Sequence, residues 1–269
     1  MRFSASRDPC RGLCSTERGD GAAHVPNSTA VGQNKLLGGL GGDDLVRLHP
    51  KKVAMTLGDL LHPVGAPIEH VYFPESGMVS MLTVMKSGEQ IETAIIGSEG
   101  VIGGWVAIDG GNTNTQSTVQ VKGVAQQVSA VRFLETYRVS DTFRSAMNAY
   151  QGIILFQAQQ SAGCHAIHTV EARLCRWLLL SQDILGSEHV PLTQEFLSHM
   201  LGVRRSSVSL CAHTLQKSGL IQYVRGNIKI QNRKGLEECA CECYSAIRER
   251  IDSFRVGQVS IRDGSQSGD

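Results

Sequence analysis

The 269-residue chain carries 26 lysines and arginines against 25 aspartates and glutamates, a formal net charge of +1, with 41% apolar and 5% aromatic residues. That length is enough for two ordinary domains with separate cores, and so even a charge balance gives the chain as a whole no polyanion-binding character. No apolar run reaches the roughly eighteen residues needed to cross a bilayer, and the N-terminal segment MRFSASRDPCRGLCSTERGD lacks the apolar block of a secretory signal, so the expected location is cytoplasmic, with no membrane partner.

Residues 1–30 are rich in Gly, Ser and Arg and are expected to form a disordered tail; its Cys10 and Cys14 are too few to hold an iron–sulfur cluster unaided. NKLLGGLGGDDLVRLHP then reads as a short helical lead-in with Leu36, Leu37, Leu40, Leu45 and Leu48 on its apolar side. From Ile68 to about Ser129 come short apolar or alternating runs separated by turn residues: IEHVYF, PESG, MVSMLTV, KSGEQ, IETAII, GSEG, STVQVKG and VAQQV. Regular short strands of low charge predict a small antiparallel barrel or roll within a domain spanning 31–140.

From Asp141 the pattern changes to one uninterrupted helix, 141–168, without a proline. Phe143, Met147, Tyr150, Ile154, Gln157, Ser161, Cys164 and His168 recur in alternating steps of four and three, the seam of a helix packed on another helix. A symmetric two-stranded contact is the simplest use of such a seam; packing on the chain's own roll, through Ile153 and Phe156 on the adjacent stripe, is the other, and one helix can serve both. VEARLCRWLLLSQDIL gives a further helix, broken between Gly186 and Pro191.

The segment 190–235 holds seven basic residues, Arg204, Arg205, Lys217, Arg225, Lys229, Arg233 and Lys234, against the single acid Glu195. Its local charge of +6 leaves −5 for the rest of the chain, which points to a polyanion-binding module on a body of opposite character. Within it, LTQEFLSHMLGVRRSSVSLCAHTLQKSG reads as two helices joined at Gly202, with Leu197, Leu201, Val203, Val208 and Cys211 locking them and Ser198 small enough to let them approach. This is a helix-turn-helix. Its second helix, about 204–217, would enter the major groove of double-stranded DNA, with Arg205 reading guanine and Ser206 and Ser209 on the same face. Thr193, Gln194, Ser207, His213 and Lys217 are phosphate-contact candidates, and Arg204 lies where the helix begins. GLIQYVRGNIKIQNRKG follows as a hairpin wing turning through Arg225-Gly226-Asn227, with Arg225 at the tip and Lys229 on the return strand.

The eight cysteines are scattered, which argues against a disulfide framework. Cys239, Cys241 and Cys243 stand in the helix-like stretch GLEECACECYSAIRERI; at about 100° per residue Cys241 would point away from the other two, so ordinary thiols are expected rather than a metal site. The DNA-binding domain is expected over 169–245 and a tail over 246–269. No arrangement of nucleophile, base and orienting group suggests catalysis, and no cofactor is expected.

An α+β chain with a β-roll, a long helix and a winged helix-turn-helix resembles the Crp/Fnr family of transcription regulators, the cyclic-AMP receptor and fumarate-nitrate regulator class. The resemblance runs from about Asn34 to Tyr244 and rests on HVYFPESGMVSMLTVMKSGEQIETAIIGSEGVIG, EARLCRWLLL and LTQEFLSHMLGVRRSSVSLCAHTLQKSGLIQYVRGNIKI. It implies a homodimer on a twofold-symmetric operator, a cyclic-nucleotide-binding-like roll as sensor, coupling through the long helix, and RNA polymerase as a further partner. The chain departs from the pattern in two places. Where cyclic-AMP-binding members carry an arginine beside a serine, this chain has Thr115, Gln116 and Ser117, and no arginine occurs between Arg47 and Arg132, so tight cyclic-AMP binding is not expected and the effector is unassigned. On the reading helix Arg205 matches the family's first base-reading arginine, but Ser206 and Leu210 replace the acid and the second arginine. Two rival readings are a cupin-like metal enzyme, opposed by the lack of a His-x-His pair, and a protein-interaction module without DNA readout, which leaves the +6 segment without a role.

Overall fold

The computed structural model describes residues 33–254 apart from residue 225; the tail over 1–30, with Cys10 and Cys14, lies outside the described residues. The lead-in forms two short helices, α1 (Lys35–Gly38) and α2 (Gly42–Leu48), with Leu36, Leu37 and Leu48 fully buried. Asn34 fixes α1 in place: its side-chain oxygen accepts from the Leu36 and Leu37 amides while its Nδ2 donates to the carbonyls of Pro74 and Gly100.

Seven strands follow: β1 (Lys51–Met55), β2 (Leu60–His62), β3 (His70–Pro74), β4 (Met78–Val84), β5 (Gln90–Ile96), β6 (Gln116–Val121) and β7 (Gly123–Ser129), with a short helix α3 (Val106–Asp109) between β5 and β6. They form two antiparallel sheets, one ordered β1-β7-β3 and one ordered β2-β6-β4-β5. The expected roll is therefore present, with β1 and β2 added ahead of the strands read from sequence. Its core joins Phe73 to two rings of the helical segment: Phe73 lies 6.4 Å from Phe133, and Phe133 lies 5.1 Å from Phe143, centroid to centroid.

Helix α4 (Ala130–Val139) is capped by the Ser129 hydroxyl and helix α5 (Asp141–Ile167) by Ser140, whose hydroxyl accepts from the Phe143 amide and donates to Asp44. Every residue of the expected seam from Phe143 to Cys164 is buried inside this one chain. The Ile95 amide donates to Gln157 and the Ser161 hydroxyl donates to the Thr93 carbonyl, so β5 of the roll occupies the seam. The heptad therefore marks a face covered by the chain's own elements, α4 at Phe143, β5 at Gln157 and Ser161 and the segment of Cys241 at Cys164, and the seam is not available to a second helix.

Helix α6 (Val170–Leu185) lies across the four-stranded sheet. Met78, Leu82 and Ile95 of that sheet join Trp177, Leu178 and the helix-turn-helix residues in a second core. This explains why MVSMLTV is apolar almost without alternation: both faces of β4 are covered. The remaining elements are β8 (His189–Val190), α7 (Gln194–Leu201), α8 (Arg205–Lys217), β9 (Ile221–Val224), β10 (Asn227–Ile230), α9 (Arg233–Cys239) and α10 (Cys243–Asp252). Two corrections arise at the C-terminal end. Helix α10 runs to Asp252 with Ile247 buried, where a tail from 246 was expected. The stretch 235–251 is not one helix: it breaks at Ala240, whose backbone is extended, so helical spacing does not govern Cys241. Among the described residues no helix is long and apolar enough to cross a membrane.

Candidate nucleic-acid interface

Helix α7 starts at Thr193, whose hydroxyl accepts from the Phe196 amide, and ends at Gly202 in the left-handed region at φ 58°. A β-carbon at Gly202 would also meet Ile91 of β5 at 3.3 Å, so the turn favours glycine for both conformation and space. Leu197, Leu201 and Val208 are buried between α7 and α8, with Val203 and Cys211 packed at the margin, as the sequence pattern requires. The buried Arg173 of α6 donates to the Leu201 carbonyl and so ties the end of α7 to α6.

Helix α8 begins at Arg204 without a side-chain cap and has no acid in its first turn. The positive end of its dipole therefore meets no side-chain acceptor or acid of its own first turn. Arg204, Arg205 and Ser206 are exposed there, and neither arginine forms an ion pair among the described residues. His213 and Lys217 are exposed further along, whereas Ser207 and Ser209 are half-buried and the Ser209 hydroxyl donates to the Arg205 carbonyl. Leu210, 68% exposed, stands among these polar groups as an apolar side chain without cover. Thr193 is exposed beside them; Gln194 opens α7, and Arg225 lies outside the described residues.

The wing is a three-stranded antiparallel sheet ordered β8-β10-β9, in which Val224 pairs with Asn227, so Asn227 belongs to the return strand and Gly226 lies in the turn ahead of it. Gly226 has φ 79°. The Tyr223 amide donates to Gln216, which fixes the wing to α8. Two of the seven basic residues counted from sequence are engaged elsewhere: Arg233 pairs with Asp183 at 2.8 Å and Glu237 at 2.9 Å, and Lys229 lies 4.0 Å from Glu188. The positive face is thus narrower than the +6 segment suggested and centres on the start of α8.

One contact between α6 and the roll was not readable from sequence. The Trp177 indole donates to Glu92 at 2.7 Å and the Ser80 hydroxyl to its other oxygen at 2.5 Å, all three residues being buried. Burial pushes the Glu92 carboxyl up to about 7, against the opposing pull of Ser80, Trp177 and the Arg176 charge.

Residues 172–239 match the family described as the Crp-like helix-turn-helix domain. Among solved structures, the chain resembles FixK2 from Bradyrhizobium japonicum at a TM-score of 0.63 and 16% identity, covering 71% of this chain and 98% of that one. It resembles a CRP-family transcriptional regulator from Thermus thermophilus at a TM-score of 0.60 and 18% identity, covering 70% and 96%. It also resembles CLP, the c-di-GMP-responsive global regulator of Xanthomonas campestris, at a TM-score of 0.59 and 16% identity, covering 71% and 99%. A search of curated proteins by sequence found no match.

Proposed function

We propose how this chain works from the premise that it is a DNA-binding transcription regulator with a Crp-like helix-turn-helix domain and the Crp/Fnr fold: two copies bind a twofold-symmetric operator in the cytoplasm. The observation that carries the reading is the exposed, unpaired Arg204-Arg205-Ser206 edge at an uncapped helix start. Backbone amides and Arg204 there suit a phosphate, while Arg205 suits the two acceptors of a guanine. Ser206 and Ser209 share the reading face, and Leu210 fits a thymine methyl group, a contact the family's arginine at that position would not make. Thr193, Gln194, Ser207, His213, Lys217 and Arg225 set the register on the backbone.

The stripe of α5 left uncovered supports pairing of two copies. Ser145, Asn148, Leu155, Gln159, Ala162 and Ala166 are exposed and Gly152 half-buried, again in steps of three and four. Small residues on that stripe permit close approach of a second helix, and Leu155, 51% exposed, gains cover by it. Residues 31–140 are the sensor in this reading.

The test is selection from a pool of random duplexes by the full chain at two salt concentrations, without added ligand. An enriched inverted repeat with half-sites about one helical turn apart is expected. Arg205→Ala should flatten the preference at one base pair of each half-site, at a cost of ~1 to 3 kcal/mol. Weak, salt-dependent binding with no enriched sequence, with or without cell extract as a source of effector, would overturn base readout by α8.

A further inference from the structure

Four potential metal ligands from two distant parts of the chain meet at the end of α5. Cys164 and His168 are one helical turn apart, His168 being the residue that ends the helix; Cys241 lies in the short link between α9 and α10, and Cys243 opens α10. The three sulfurs and the imidazole nitrogen all lie within 4.8 Å of one another. Cys164 Sγ and Cys241 Sγ are 3.5 Å apart, as are Cys243 Sγ and His168 Nδ1. A tetrahedral zinc ion with bonds of about 2.3 Å to sulfur and about 2.0 Å to nitrogen would require edges of roughly 3.8 Å between sulfurs and roughly 3.5 Å between sulfur and nitrogen. The observed separations, 3.5 Å for the two pairs named and none above 4.8 Å, bracket that size, which suits one ion rather than a cluster.

The surroundings are those of a ligand set. His168 Nε2 lies 3.1 Å from the Glu242 carboxylate, an arrangement that keeps the proton on Nε2 and leaves the Nδ1 lone pair for the interior. Gln160 Nε2 donates to Cys243 Sγ at 3.1 Å, a donor aimed at a sulfur. All three cysteines are buried, with Ala172 packed against them. The buried Arg176 has no hydrogen-bond partner for its Nε among the described residues, and its charge acts on both Cys164 and Cys241. Three thiolates around a divalent cation carry a net negative charge, which an adjacent guanidinium offsets.

We propose that Cys164, His168, Cys241 and Cys243 bind one zinc ion in a closed structural site, which fastens the end of the long helix α5 to the link between α9 and α10. With four protein ligands the ion has no open position for substrate or water, so the site holds segments together and does no chemistry.

The test is metal analysis of the full chain purified under reducing conditions, with X-ray absorption on the bound zinc. One zinc per chain is expected, with three sulfur neighbours at about 2.3 Å and one nitrogen at about 2.0 Å. Cobalt added to metal-stripped protein should give the intense visible bands of a tetrahedral site and a thiolate-to-cobalt charge-transfer band. Cys241→Ser and Cys243→Ser should each lose the ion, while Cys239→Ser and the Cys10→Ser/Cys14→Ser pair should keep it. The cobalt and absorption measurements on the wild-type chain stand even if a variant fails to fold. The proposal is overturned by reduced wild-type protein that takes up no stoichiometric zinc or cobalt, by a coordination shell without sulfur, or by a Cys164–Cys241 disulfide in metal-free protein as purified.

Discussion

At the scale of single residues, Glu92 is the group whose ionisation the fold controls most clearly. Unfolded, its carboxyl would lose its proton near 4.5; folded, it keeps it to about 7. Between those values unfolding releases a proton, so this residue's contribution to stability falls as pH rises and the loss is complete above 7, on the order of 3 kcal/mol. Glu92→Gln retains an oxygen for the Trp177 indole and an amide donor for the Ser80 hydroxyl, and it cannot ionise. Urea midpoints measured from pH 5.5 to 8 should therefore decline less in the variant than in the wild-type chain. Equal declines would mean that the proton is held elsewhere. Nothing in the sequence announces this contact, because Ser80, Glu92 and Trp177 come from three segments and meet only through the packing of α6 on the sheet.

At the scale of elements, patterns that depend on local spacing were legible and patterns that need a partner were not. Gly202 with Leu197, Leu201 and Val208 predicts the helix-turn-helix because each requirement sits within one pair of helices. The heptad of α5 was equally plain, but a heptad shows only that a face is covered; here the chain's own elements cover it, β5 among them, as the bonds at Gln157 and Ser161 show. The exposed stripe proposed for a second copy is inconspicuous in the sequence because its residues, Leu155 apart, are small or polar. Leu155→Glu tests that stripe: a charge there should turn a dimer into a monomer in sedimentation velocity with the circular-dichroism spectrum of the folded chain retained, since the side chain is half exposed in the single chain. A variant still dimeric would move the contact to another face. The spacing argument for the cysteines at the C-terminal end fails for a related reason. No proline or glycine marks the break at Ala240, whose backbone is extended, so one helical phase does not carry from Cys239 to Cys241. The Cys-x-x-x-His pair on α5 was visible in the sequence as two seam positions, but nothing local connects it to residues more than seventy positions away.

At the scale of the whole molecule, the roll and the helix-turn-helix share a core. A cavity of about 260 Å³ lies between the roll and α5, lined by Met81, Thr83, Thr93, Trp105, Thr115 and Ile154 among others, with no charged side chain in its wall. A cyclic phosphate placed there would lose its hydration without meeting a cation. Titration calorimetry with cyclic AMP should accordingly show no saturable submicromolar heat; tight binding would place a phosphate site that neither the lining nor the Thr115–Ser117 segment provides. A ligand matched to that wall would be small, neutral and mostly apolar.

The joint core formed by Met78, Leu82 and Ile95 with Trp177 and Leu178 also bears on how such a chain can change over evolutionary time. A DNA head that closes its own core can be exchanged between proteins at a linker. This one cannot be traded so simply, because three of its core side chains belong to the sheet it rests on, as does the carboxylate that accepts from Trp177. The inherited unit is the head together with the outer face of β4 and β5. A change of side-chain volume on that face leaves α6 with a void or a clash unless α6 changes with it, although the two segments are far apart in the sequence.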